Sequence, residues 1–198
     1  KLDSKYTDAY NNRGLAYSDL EEYQKAIADY SEAISLNPEY AYAYNNRGLA
    51  YKEKGKYDQA IADYSEAIKL DSKYTDAYNN RGNAYYEKRK YDLAIADYSE
   101  AIKLDSKYAY AYNNRGNAYK EKEKYDLAIA DYSEAIKLDP KYTKAYGLRG
   151  LAYKNKGSKD QAIRNFQKVI ELTKNKNNPI DRELSQITEK EIQSLKRE

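Results

Sequence analysis

The chain has 198 residues with a net charge of only +3, from 35 lysines and arginines against 32 aspartates and glutamates. That balance argues against a nucleic-acid arm or a polybasic membrane anchor, and no apolar run approaches the ~18 residues of a membrane helix. With no histidine and no cysteine, the chain has no disulfide, no thiolate nucleophile, no zinc–sulfur site and no imidazole base or ligand, so no metal, no cofactor and no enzyme activity are expected. The 26 tyrosines against a single phenylalanine imply a core of phenol rings set against alanine and glycine.

Residues 1–6, KLDSKY, repeat the endings at 69–74 and 103–108. They are expected to be the tail of a preceding repeat, and with no methionine at position 1 the chain reads as a fragment of a longer array. The string AYNNRG then begins at Ala9, Ala43, Ala77 and Ala111, and AYGLRG begins at Ala145, each 34 residues after the last. This divides the chain into repeats 7–40, 41–74, 75–108, 109–142 and 143–176. The second and third share 28 of 34 positions, and the third and fourth share 29.

Within 41–74, Tyr44, Gly48 and Tyr51 fall at i, i+4 and i+7, one stripe of a helix. Gly55-Lys56 interrupts it. Tyr57, Ala60, Ile61, Tyr64, Ala67 and Ile68 form a second helical stripe, and Asp71-Ser72-Lys73 makes a polar turn. One such hairpin cannot bury its own apolar face, whereas stacked hairpins can. The segment 177–198 differs. Asn178 and Pro179 are suited to opening a helix. Ile180, Leu184 and Ile187 occupy registers that hold Tyr, Gly and Tyr in the repeats, so a C-terminal capping helix is expected.

The pattern Tyr10, Gly14, Tyr17, Ala26, Tyr30, Ala33 and Pro38 resembles the tetratricopeptide repeat (TPR) family, and the resemblance covers residues 1–176. It implies an all-α fold, a right-handed α-solenoid of helix-turn-helix units. Arg13 departs from the family's leucine, and so do Arg47, Arg81, Arg115 and Arg149. Asp29, Asp63, Asp97 and Asp131 follow sixteen residues later, which predicts an ion pair inside each of the first four repeats. Asn165 replaces the acid in the fifth. An arginine ladder for phosphates is the weaker alternative.

The family resemblance also implies a concave groove lined by the first helices. Asn12, Asn46, Asn80 and Asn114 would form a ladder along it, since an amide both donates to and accepts from a peptide backbone. The opposing expectation is that these amides bridge neighbouring helices. Groove registers also hold Tyr42, Tyr86, Tyr110, Asn83, Asn117 and Lys144, with acid at Asp8 and Asp19 and base at Lys144 and Lys154. Amphipathic rings are good contact residues. A carboxylate clamp for chaperone tails would use Asn83, Asn114 and Lys144, but Asn79 and Leu148 stand where two further cations are needed, which argues against that ligand. Serines such as Ser65 lack an activating base, and every carboxylate pair recurs with the scaffold.

The expected function is a protein–protein interaction module that binds a peptide or partner segment in the groove. A structural scaffold stacking end to end is the second reading, and RNA binding the third. No membrane partner is expected, and without a leader-like apolar segment the expected location is cytoplasmic.

Overall fold

The computed structural model describes residues 4–174 and 179–197, with side chains from 6 to 174 and from 185 to 197. Its described residues form helices α1 (Ser4–Asp19), α2 (Tyr23–Leu36), α3 (Ala41–Glu53), α4 (Tyr57–Leu70), α5 (Thr75–Glu87), α6 (Tyr91–Leu104), α7 (Ala109–Glu121), α8 (Tyr125–Leu138), α9 (Thr143–Asn155), α10 (Lys159–Thr173) and α11 (Pro179–Arg197), with no strand among them. They divide into two compact units, 1–105 and 106–198. None of the described helices is long and apolar enough to cross a membrane.

Each repeat is a helical hairpin, and a left-handed residue closes its first helix. Gly55 (φ 68°) and Gly157 (φ 81°) are there, but so are Glu21 (φ 59°), Arg89 (φ 57°) and Glu123 (φ 56°). The Gly55 N–H donates to the Lys52 carbonyl at 2.8 Å and the Lys56 N–H to the Tyr51 carbonyl at 2.9 Å. This paired reverse bonding satisfies carbonyls that the helix end would leave open. In the first, second and fourth repeats the second helix ends on an acceptor side chain. Asp71 Oδ1 accepts the Lys73 N–H at 2.9 Å, Asp139 Oδ1 the Lys141 N–H at 2.9 Å, and Asn37 Oδ1 the Glu39 N–H at 3.1 Å. These short side-chain turns explain the polar residues between repeats.

Packing follows the small and large registers. In the first unit α1 packs on α2, α2 on α3, α3 on α4, α4 on α5 and α5 on α6. In the second unit α7 packs on α8, α8 on α9, α9 on α10 and α10 on α11. Tyr30, Tyr64, Tyr98 and Tyr132 are at most 1% exposed, between alanines such as Ala26, Ala60, Ala94 and Ala128 that are wholly buried. A Cβ on Gly48 would lie 2.6 Å from Cε1 of Tyr64. Only glycine lets the ring approach that closely, so the two registers depend on each other. In the fifth repeat Phe166 takes the tyrosine's place opposite Gly150.

Helix α11 packs on α10 and buries Ile192 and Leu195 against Ala162 and Phe166. Its buried stripe is Thr188, Ile192 and Leu195, while Ile187 is 51% exposed. The expected inward register at Ile187 is therefore one residue out of phase with the face that packs. Asn178, Ile180 and Leu184 lie outside the residues whose side chains are described.

Candidate functional site

In the first unit the leading helices lie side by side, α1 touching α3 and α3 touching α5. In the second unit α7 touches α9. The stripe Tyr42, Asn46, Leu49 and Glu53 runs down one face of α3, because i, i+4, i+7 and i+11 share a face. Asp8, Asn12, Leu15 and Asp19 hold the same registers on α1, and Asp76, Asn80, Asn83 and Glu87 hold them on α5. In the second unit they are Tyr110, Asn114, Asn117 and Glu121 on α7, and Lys144, Leu148, Leu151 and Asn155 on α9.

The two asparagines of each NN pair have different environments. Asn11, Asn45, Asn79 and Asn113 are buried. Asn12 is exposed, while Asn46, Asn80 and Asn114 are half-buried. Asn46 Nδ2 donates to Asn11 Oδ1 at 3.1 Å, and Asn80 Nδ2 donates to Asn45 Oδ1 at 3.0 Å. Within the first unit, then, rungs of the ladder bridge one leading helix to the next. The side-chain Oδ1 of Asn113 is buried without a hydrogen-bond partner among the described residues. The next repeat carries Leu148 where the others carry the bridging amide, which leaves that oxygen unmet.

The variable tyrosines lie at the heads and tails of leading helices. Tyr42 is 58% exposed and Tyr110 is 62% exposed. Each ring rests on two others: Tyr42 is 6.1 Å from Tyr40 and 5.1 Å from Tyr74, and Tyr110 is 6.3 Å from Tyr108 and 5.4 Å from Tyr142. Tilted and edge-on ring contacts of this kind hold the exposed ring in place. The Tyr40 hydroxyl also donates to Asp8 at 3.1 Å. Tyr86 is half-buried, 5.4 Å from the Tyr91 ring of its own hairpin. Lys144 is exposed in the first turn of α9. Lys154 instead donates to Glu191 of α11 at 2.6 Å, so the expected basic end is partly neutralised by the terminal helix.

Two expected contact residues have a structural task that the sequence reading missed. Asn83 Oδ1 accepts the buried Tyr98 hydroxyl at 2.8 Å, and Asn117 Oδ1 accepts that of Tyr132 at 2.7 Å. The fifteen-residue spacing common to both pairs was a readable signal. Repeat two has Leu49 at this register, and the Tyr64 hydroxyl is buried without a hydrogen-bond partner among the described residues.

The arginines are paired with the acids sixteen residues on. Arg47 donates through Nε and Nη2 to both oxygens of Asp63, at 2.8 Å each, and through Nη1 to Ser31 of the preceding repeat at 3.0 Å. Arg81 does the same with Asp97 and Ser65. Arg13 and Arg115 make the same fork with Asp29 and Asp131. Tyr44 lies under the Arg47 guanidinium, 5.6 Å from ring centre to carbon. The Asp63 hydrogen bonds raise the Arg47 pKa above its ordinary value. All four guanidinia are engaged by a carboxylate, and those of Arg47 and Arg81 by a serine as well, so they do not form an open phosphate ladder.

Family comparisons match the residues above. Models described as TPR repeat match 48–89 and 82–122, and models described as tetratricopeptide repeat match 7–40, 30–62, 109–142 and 143–176. Comparison with curated protein sequences gives no significant match. Among solved structures, a MamA protein is 28% identical with a TM-score of 0.77, over 87% of this chain and 94% of that one. YrrB, described as a TPR protein with an unusual peptide-binding site, is 22% identical with a TM-score of 0.72, over 91% of this chain and 90% of that one. PilF of Pseudomonas aeruginosa is 19% identical with a TM-score of 0.74, over 96% of this chain and 92% of that one. The last two likenesses concern the fold alone.

Proposed function

The chain belongs to the tetratricopeptide repeat family, and from that premise we propose that its leading-helix faces bind an extended peptide segment of a partner protein. The observation that carries this reading is the pair of exposed, ring-supported tyrosines. Tyr42 and Tyr110 each hold a large amphipathic surface in solvent, already oriented by two neighbouring rings. A preorganised ring loses little side-chain entropy on binding, which makes it an efficient anchor. One turn along each stripe are the amides of Asn46 and Asn114, with Asn12 and Asn80 at the same register on α1 and α5. In this reading their remaining hydrogen-bonding capacity meets a peptide backbone without regard to its sequence. Tyr86, Asn83 and Asn117 border the same faces, and Lys144 favours a carboxylate beside α9.

The peptide reading is tested by fluorescence anisotropy with a labelled random-peptide pool and a single-stranded RNA pool. The parent chain is compared with a Tyr42→Ala/Tyr110→Ala variant, whose exposed positions can be truncated without opening the core. Circular dichroism confirms that both are folded. Peptide binding that falls about tenfold or more in the variant supports the reading, because contact aromatics of this kind carry more than 1 kcal/mol each. Peptide binding unchanged in the variant, or binding of RNA alone with a steep salt dependence, refutes it.

A further inference from the structure

The fifth repeat breaks the charge pattern of the other four. In those, Ala28-Asp29, Ala62-Asp63, Ala96-Asp97 and Ala130-Asp131 place a carboxylate against the repeat's arginine. The fifth has Arg164-Asn165 instead. One acid is lost and one cation gained, so the site changes from a neutral pair to a charge of +2.

The geometry preserves half of the old fork. Arg149 Nε still donates to Asn165 Oδ1 at 2.8 Å, and Nη1 still donates to Ser133 at 2.9 Å. The second carboxylate oxygen is gone. In its place Asn165 has an amide Nδ2, which donates away to the Gln161 carbonyl at 2.7 Å. The guanidinium carbon lies over the Tyr146 ring, 5.5 Å from its centre. Beside it lies a cavity of about 290 Å3 lined by Tyr146, Arg149, Tyr153, Gln161, Arg164 and Asn165, with no carboxylate among the lining residues. Burial lowers the pKa of Arg149, whereas the acid partner raises that of Arg47, Arg81 and Arg115.

We propose that this cavity is an oxyanion site, in which a phosphate group takes the place that the aspartate carboxylate holds in the other repeats. Two cations suit a dianion better than a single carboxylate. A planar guanidinium already fixed by Ser133, Asn165 and Tyr146 needs little reorganisation to present its open edge to phosphate oxygens. The volume admits a phosphate together with part of the group that carries it. None of the six lining residues is a candidate peptide contact, so the site stands or falls independently of the peptide reading.

Isothermal titration calorimetry and thermal melts of the whole chain, at low ionic strength, test the site with inorganic phosphate, O-phosphoserine and acetate as probes. The key variant is Asn165→Asp, which rebuilds the pair that the other repeats already contain and so keeps the fold. Phosphate binding is expected for the parent chain and is expected to be absent in Asn165→Asp. Arg164→Ala is expected to weaken it about tenfold, the worth of one charge-assisted contact. Acetate should bind more weakly than phosphate. Tighter binding of O-phosphoserine than of inorganic phosphate supports an esterified occupant, and the reverse order supports free phosphate. Equal binding by the parent chain and Asn165→Asp overturns the proposal, as does the absence of binding by either phosphate probe.

Discussion

Two chemically identical substitutions, Tyr64→Phe and Tyr98→Phe, should have opposite effects. Both rings are at most 1% exposed and both pack against the glycine of their own repeat, Gly48 and Gly82. They differ in what the hydroxyl meets. Tyr98 donates to Asn83 of its own repeat at 2.8 Å, whereas the Tyr64 hydroxyl is buried in a repeat that carries Leu49 at that register. A buried hydroxyl with no partner costs about 1–3 kcal/mol in lost hydration, and a satisfied one contributes about 1 kcal/mol. Tyr64→Phe removes the unmet group and is expected to stabilise by about 1 kcal/mol, at the low end of that range. Tyr98→Phe breaks a bond and should cost about 1 kcal/mol, since half-buried Asn83 can turn to water. The two variants should therefore differ by about 2 kcal/mol, or about 4–8 °C in melting temperature for a chain of this size. Thermal and urea melts followed by far-ultraviolet circular dichroism read this difference directly. If Tyr64→Phe proves as destabilising as Tyr98→Phe, the hydroxyl of Tyr64 has a partner and the argument fails.

Asp63→Ala leaves the Arg47 guanidinium, whose side chain is only 19% exposed, without its carboxylate. A loss of about 3 kcal/mol is expected in urea melts, and the double variant Arg47→Leu/Asp63→Leu should recover more than half of it, because the cost comes from the stranded charge. A double variant as unstable as the single one would contradict this. At high pH, burial holds the phenols of Tyr30, Tyr64 and Tyr98 above their ordinary pKa. A raised folded-state pKa means stability present below about pH 10 and lost as pH rises, because only the unfolded chain releases those protons there. Three phenols give a loss of at most about 4 kcal/mol per pH unit above that point. Absorbance at 295 nm should show them ionising together with the loss of helix. Smooth ionisation of all the phenols near pH 10 with the helices intact would contradict the burial argument.

Periodicity made the helical hairpins legible. A 34-residue repeat with glycine, alanine and tyrosine at constant registers already states which residues must approach closely. The Arg47–Asp63 fork was legible as well, because a spacing of sixteen residues recurs in four repeats and the two side chains lie on the paired helices of one hairpin. The asparagines were less legible. Asn11 and Asn12 are identical in chemistry and adjacent in sequence, so composition and spacing do not say which one faces inward.

By itself the sequence determined the repeat length, the hairpin as the unit, the tyrosine-against-glycine packing and the loss of the acid at Asn165. Each of these is a local relation within one hairpin, repeated until it is unambiguous. Tertiary structure alone decided what happens between hairpins and at the terminal helix. It decided that Asn46 reaches Asn11, that Ser31 completes the Arg47 site, that Lys154 is neutralised by Glu191, and that Ile187 faces solvent while Ile192 packs. The physical reason is that these contacts depend on how adjacent helices are rotated and offset against each other. That relation is set by packing among many side chains and has no signature at a fixed spacing along the chain.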